Sequence, residues 1–205
     1  MKGLKKYIYI LITITAVLIA GGISLYGKGM INKFDYSQDK KYLYTLDTVR
    51  NYTTGLSHIE EINLAKIIIE ESSNYDIDPM FVIALIEKES SFFNWARSNM
   101  NAIGLMQIRP HVGKYIADDL NIEWKGEHTL FDPYINIKMG IYYFSVLHKR
   151  FGDTALALTA YNSGPTYVDD MMNEGRGVPR YFANKVVSMY QNHLNRFGED
   201  QGGVN

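Results

Sequence analysis

No cysteine occurs anywhere in the 205 residues. Its absence excludes a disulfide framework, a thiolate metal site, a cysteine nucleophile and lipid attachment through an N-terminal cysteine. An excess of one charge is missing too, because 21 Lys and Arg face 22 Asp and Glu for a formal net charge of −1. A nucleic-acid partner would find no electrostatic footprint. The five histidines show no ligand spacing, so no metal or other cofactor is expected. Sustained two-residue alternation of apolar and polar side chains is also absent, which argues against a strand-rich fold. What remains is an ordinary globular composition, 46% hydrophobic and 21% charged. The length suits one domain and a short appendage. Sixteen tyrosines would suit a carbohydrate groove, but equally any amphipathic helical surface.

The appendage is legible at the N-terminus. Lys2, Lys5 and Lys6 precede an uncharged run over residues 7–26, and Lys28 and Lys33 follow it. About 20 apolar residues suffice to span a bilayer as a helix. Two readings are open, a signal anchor that stays and a signal peptide that is cut. Gly22-Ile23-Ser24 offers only a weak small-x-small cleavage pattern, and the run is long for a signal-peptide core. The anchor is therefore preferred. The expected order is a cytoplasmic segment 1–6, an anchor 7–26, a linker 27–54 with some helix near 40–50, a domain 55–200 and a tail 201–205. Such a protein would sit in the cytoplasmic membrane with its domain on the exported, periplasmic side.

The domain reads as all-α. Ser57 with Glu60 resembles a capping box opening a helix over 59–72. Asp78-Pro79 opens one over 79–90, Arg109-Pro110 one to 120, and Asp132-Pro133 one to 151, stopped by Gly152. A further helix spans 155–161, ended by Asn162-Ser163-Gly164-Pro165, and Val178-Pro179 opens the last, to about 197. Four of the five prolines thus stand where a helix begins. A short β-hairpin around 100–108 fits as an addition.

On the 79–90 helix, Val82, Leu85, Ile86 and Glu89 share a face by their spacing, while Glu87 points elsewhere as a solvated charge. A carboxylate on an apolar stripe, in the last turn of a helix, is disfavoured as an anion by burial and by the helix dipole. Its pKa rises, which suits a general acid. The following segment carries Ser90, Asn94, Trp95, Ser98, Asn99, Asn101 and Gln107 but no Asp or Glu. Hydroxyls, amides and an aromatic face are what a sugar ring requires.

Three blocks, Glu89-Ser90, Gly104-Leu105-Met106-Gln107-Ile108 and Ala160-Tyr161-Asn162-Ser163-Gly164-Pro165, resemble the goose-lysozyme-like lytic transglycosylases in order and spacing. Asp132-Pro133, Asn136-Ile137, Gly140 and Phe151-Gly152-Asp153 fit the connecting pattern, and the likeness covers roughly residues 65–190. The resemblance implies a lysozyme-like helical domain that cleaves peptidoglycan strands with formation of 1,6-anhydromuramoyl ends. It implies Glu89 as acid/base, Ser90 as its structural partner and Ser98 as a holder of the substrate's N-acetyl group. Met106 and Gln107 would line the groove, Tyr161 and Asn162 would lie beside the carboxyl, and Gly104 would serve the backbone. One block departs from the pattern: where the family often has Glu-Thr-Arg-x-Tyr-Val, this chain has Val178-Pro179-Arg180-Tyr181-Phe182-Ala183. Two rivals stay open. A goose-type hydrolase would need Asp153, Asp169 or Glu174 near Glu89 to activate water, and a non-catalytic glycan-binding envelope-assembly module would need only the groove. Assembly partners are not identified by the sequence.

Overall fold

Short polar side chains and prolines set the helix starts. The computed structural model describes residue 36 and residues 39–202. Asp39 accepts from the Tyr42 backbone N–H and opens α1 (Lys40–Arg50). Ser57 and Glu60 cap each other's backbone at the head of α2 (His58–Asn74), the reciprocal arrangement expected from the sequence. Asp78 accepts from Met80 N and, with Pro79 in the first turn, opens α3 (Pro79–Ser90). Pro110 begins α4 (Pro110–Leu120). After a 3-10 turn at Glu127–Phe131, Asp132 accepts from Tyr134 N and Ile135 N and opens α5 (Pro133–Phe151). Asp153 caps α6 (Thr154–Ser163), α7 (Pro165–Asn173) follows at once, and α8 (Tyr181–Gly202) ends the domain.

The all-α expectation holds, with local differences. Four of the five prolines do start helices, but Pro165 replaces Pro179 in that set. Gly164 adopts a positive φ of 94°, so the chain turns sharply and Pro165 restarts it. The sequence reading took this run as a stop only. No strand forms among the described residues, so the hairpin near 100–108 is not there. Isolated bridges link Arg97 with Ile103 and Ile103 with Ile108. Left-handed residues at Asn101, Gly104 and Gln107 bend the segment too often for a ladder to propagate.

Helix α1 belongs to the packed body, although the sequence assigned it to the linker. It lies on α2 and α3 and buries Tyr42, Thr45, Thr48 and Val49. Its apolar face is thin and partly threonine, so composition conceals it. The uncharged run over 7–26 lies outside the described residues, and among those described no helix is long and apolar enough to cross a membrane.

Helix α3 is the core of the domain. All residues from Pro79 to Ile86 are buried, with α8, α2 and α1 around them. Phe81 packs against Phe144 with ring centroids 4.8 Å apart and meets Tyr190 edge-on. A helix apolar on every side is one enclosed on every side. The single stripe inferred from spacing is therefore too narrow a description.

Candidate active site

A helix held this firmly carries its last turn to a fixed place. At that end Ser91 takes a left-handed conformation, and its N–H returns to Glu87 O. Ser90 Oγ donates back to Ile86 O at 3.3 Å within the last turn. The side chain of Glu89 emerges into a cleft of about 310 Å³. Ser98, Gln107, Arg109, Tyr143 and Tyr161 line it as well, with Asn162 and Gly164 at its rim.

Glu89 forms no hydrogen bond or ion pair with the described residues. Burial pushes its carboxyl up from 4.5 to about 7, and neighbouring Lys88 only partly offsets this. The cause is desolvation, as the helix position suggested. A carboxyl of this kind carries its proton near neutrality and can give it away.

Glu87, two residues earlier, is not the solvated charge that the spacing suggested. Its Oε2 lies 2.9 Å from Nε2 of the buried His193, and Tyr52 also bonds to it. His193 Nδ1 meets the Tyr44 hydroxyl at 2.9 Å. Because α3 is surrounded, Glu87 meets other helices instead of water, and a one-helix projection could not reveal that.

Part of the cleft lining is a loop held by its own polar groups. Ser98 Oγ accepts from Ala102 N at 3.0 Å and from Met100 N at 3.3 Å. Gln107 has φ of 48°, and its Nε2 donates to Gly104 O and Ala96 O. Beneath the loop lies Asn136, fully buried. Its Oδ1 accepts from Met106 N at 2.8 Å, and its Nδ2 donates to Leu130 O and Ile103 O. Gly104, at φ of 81°, leaves the space that Asn136 fills.

Tyr161 stands on α6 and donates its hydroxyl to Met106 O at 2.8 Å. Burial, then the nearby Glu89, pushes the phenol well above its ordinary value. Its ring packs against Tyr143 at 5.4 Å. Met106 is corrected as a groove residue. Its side chain is fully buried against Gly140, where an added Cβ would overlap its sulfur. It serves the site through its carbonyl and N–H.

No second carboxylate lines the cleft among the described residues. Asp153 caps α6, Asp169 pairs with Arg150, and Glu174 pairs with Arg176. The divergent block near 178–183 also stays out of the cleft. Phe182 is buried there, with Lys88 Nζ 5.2 Å from its ring centroid.

The transglycosylase SLT domain model matches residues 66–179, more than half of the sequence. The chain belongs to that family. This SLT domain is 30% identical over 105 residues to a putative soluble lytic murein transglycosylase of Haemophilus influenzae, covering 51% of the chain and 18% of the relative. It is likewise 30% identical over 142 residues to a membrane-bound lytic murein transglycosylase C of the same species, covering 63% and 38%. The chain therefore spans well under half the length of these relatives. Among solved structures, the 70 kDa soluble lytic transglycosylase of Escherichia coli superposes with a TM-score of 0.60 at 23% identity. That likeness covers 69% of this chain and 26% of the other and establishes the shared fold.

Within the SLT domain, folding brings Glu89, Ser98, Gln107, Tyr161 and Asn162 to one cleft. It adds residues the sequence reading missed. Tyr143 could have been found, since it lies one turn after Gly140 on the same helix. Arg109 reads in the sequence only as the residue before the Pro110 helix start, His111 carries no local signal, and nothing in their spacing points to a cleft.

Proposed function

We propose that this chain is a peptidoglycan lytic transglycosylase. It cuts the β-1,4 bond between N-acetylmuramic acid and N-acetylglucosamine and leaves 1,6-anhydromuramoyl ends. The observation that carries the proposal is one carboxyl, Glu89, pushed up by burial to about 7 in a cleft that no second carboxylate lines among the described residues. Glu89 gives its proton to the leaving oxygen as positive charge develops at the anomeric carbon. Most glycosidases complete the reaction with a second carboxylate. Here the substrate's own 2-acetamido carbonyl stabilises the anomeric carbon. The ionised Glu89 then takes the proton of the C6 hydroxyl, whose oxygen bonds to that carbon and closes the anhydro ring. The acid is regenerated and no water is consumed. An attacker in the same sugar has a very high effective concentration and outcompetes solvent.

The remaining cleft residues fit this role. Ser98 Oγ accepts two backbone N–H groups, so its own hydrogen can be donated to the N-acetyl carbonyl. Gln107 uses its amide nitrogen within the loop, which leaves its oxygen to accept from a sugar hydroxyl. Tyr161 holds the loop by its bond to Met106 O, and Asn162 lies at the rim. The names of the relatives support peptidoglycan as substrate. One of them, a membrane-bound enzyme, supports an envelope location. Residues 7–26 then anchor the chain in the cytoplasmic membrane, with the SLT domain on the exported side. Hydrolysis is disfavoured because Asp153, Asp169 and Glu174 are engaged elsewhere. Incubating the purified chain with insoluble peptidoglycan sacculi should release soluble muropeptides. Intact sacculi after prolonged incubation would refute the proposal.

A further inference from the structure

Arg109 is a cation lining the cleft, without an ion-pair partner among the described residues. It is half-buried and lines the same space as Glu89. Its guanidinium makes no ion pair or hydrogen bond with the described residues. Most other arginines of the domain have partners: Arg97 holds Glu127, Arg150 holds Asp169, and Arg176 holds Glu174. Arg109 acts on the Tyr143 hydroxyl, lowering it against the effect of burial. It shares the cleft with Glu89, Tyr143 and Tyr161. A guanidinium without a partner on a half-buried wall is set to receive an anion, and its forked donors match a carboxylate.

We propose that Arg109 recognises a carboxylate of the glycan substrate bound in this cleft. The inference rests on the glycan-cleaving reading above. Peptidoglycan offers this chemistry from two sources. One is the lactyl carboxylate of a muramic acid residue that has lost its peptide, and the other is a carboxylate of the stem peptide itself. Neither N-acetylglucosamine nor the sugar hydroxyls carry such a charge. A contact of this kind would select muramic acid over glucosamine at the sugar it touches.

The test measures binding to the full chain carrying Glu89→Gln, so that substrate persists, with and without Arg109→Gln. Three probes are compared by calorimetry. They are a peptide-free glycan tetrasaccharide with free lactyl groups, the same glycan with those groups amidated, and a peptide-bearing glycan. Charge-assisted bonds of this type predict a roughly ten- to hundredfold loss of affinity on Arg109→Gln. Loss with the free lactyl glycan that vanishes on amidation assigns the lactyl group as the source. Loss confined to the peptide-bearing glycan assigns the stem peptide. Arg109→Lys should retain part of the affinity in either case. Equal losses on charged and amidated glycan would mean that Arg109 merely packs, and no loss would mean that it faces no anion. Both results overturn the inference while leaving the glycan reading intact. Failure of all three probes to bind, with uncut sacculi in the presence of the wild-type chain, would remove both.

Discussion

Glu89→Gln is expected to lower peptidoglycan cleavage about 100- to 10,000-fold, the usual span for loss of a general acid, and at the same time to stabilise the domain at neutral pH. The first effect follows because Gln keeps the shape and the helix but has no proton to transfer. The second follows from linkage. The carboxyl is pushed up from 4.5 to about 7 in the folded chain. Below the lower value it is protonated in both states and contributes no difference. As pH rises from there, the unfolded chain ionises first, so folding stability falls until the folded carboxyl has also titrated, at about 7. The full span would correspond to about 3 kcal/mol. The residue keeps part of its surface open to the cleft, so a gain of about 1–3 kcal/mol is the fair expectation for Gln above neutrality. Denaturant midpoints of both proteins at pH 8 and at pH 4 check this. The variant should be the more stable at pH 8 and equal at pH 4. The same protonation makes cleavage by the wild-type chain decline as pH passes 7. Equal stability at both pH values would mean that Glu89 is an ordinary solvated carboxylate.

Gly104→Ala should be the most damaging small change in the cleft-lining loop. Position 104 has φ of 81°, and an added Cβ would overlap the Asn136 amide and lie 2.5 Å from Leu130 O. Neither neighbour can give way. Asn136 is fully buried and holds Met106 N, Ile103 O and Leu130 O at once, so moving it strands several buried polar groups. Left-handed strain adds to that. Together these predict a loss of about 3 kcal/mol or more and a sharp fall in activity, because Gln107 and Ser98 hang on the same loop. A denaturant midpoint within about 0.5 kcal/mol of the wild type, inside the range of surface substitutions, would show that the loop is looser than its contacts imply.

These two residues also mark what can be read from sequence. Glu89 stood out as a carboxylate on an apolar helix face, but a solvated or paired glutamate reads the same way locally, and it was the resemblance carried by the blocks at 89–90, 104–108 and 160–165 that singled it out. The helix starts were legible directly, since Asp-Pro and Ser-x-x-Glu act on adjacent backbone. Contacts distant in the chain were not. Glu87 and His193 are 106 residues apart, and neither carries a local sign of the other. Met106 was expected in the groove only through the family resemblance, yet its side chain is buried against Gly140. The helical character of α1 was legible, but its packing into the body was hidden by a face built from tyrosine, threonine and one valine. Arg109 was hidden because the step that starts a helix also aims the preceding side chain, and only the fold decides at what.

The central claim is that the sugar's own C6 hydroxyl, and not water, completes the reaction. Mass spectrometry of muropeptides released by the purified chain tests it most directly, since each anhydro product is one water lighter than its hydrolysed counterpart. The expected result is predominantly 1,6-anhydromuramoyl ends without a free reducing group, because among the described residues no second carboxylate lines the cleft beside Glu89. Predominantly reducing ends from clean substrate would contradict it. The fold and Glu89 would stand, but the enzyme would be a lysozyme with water as its nucleophile.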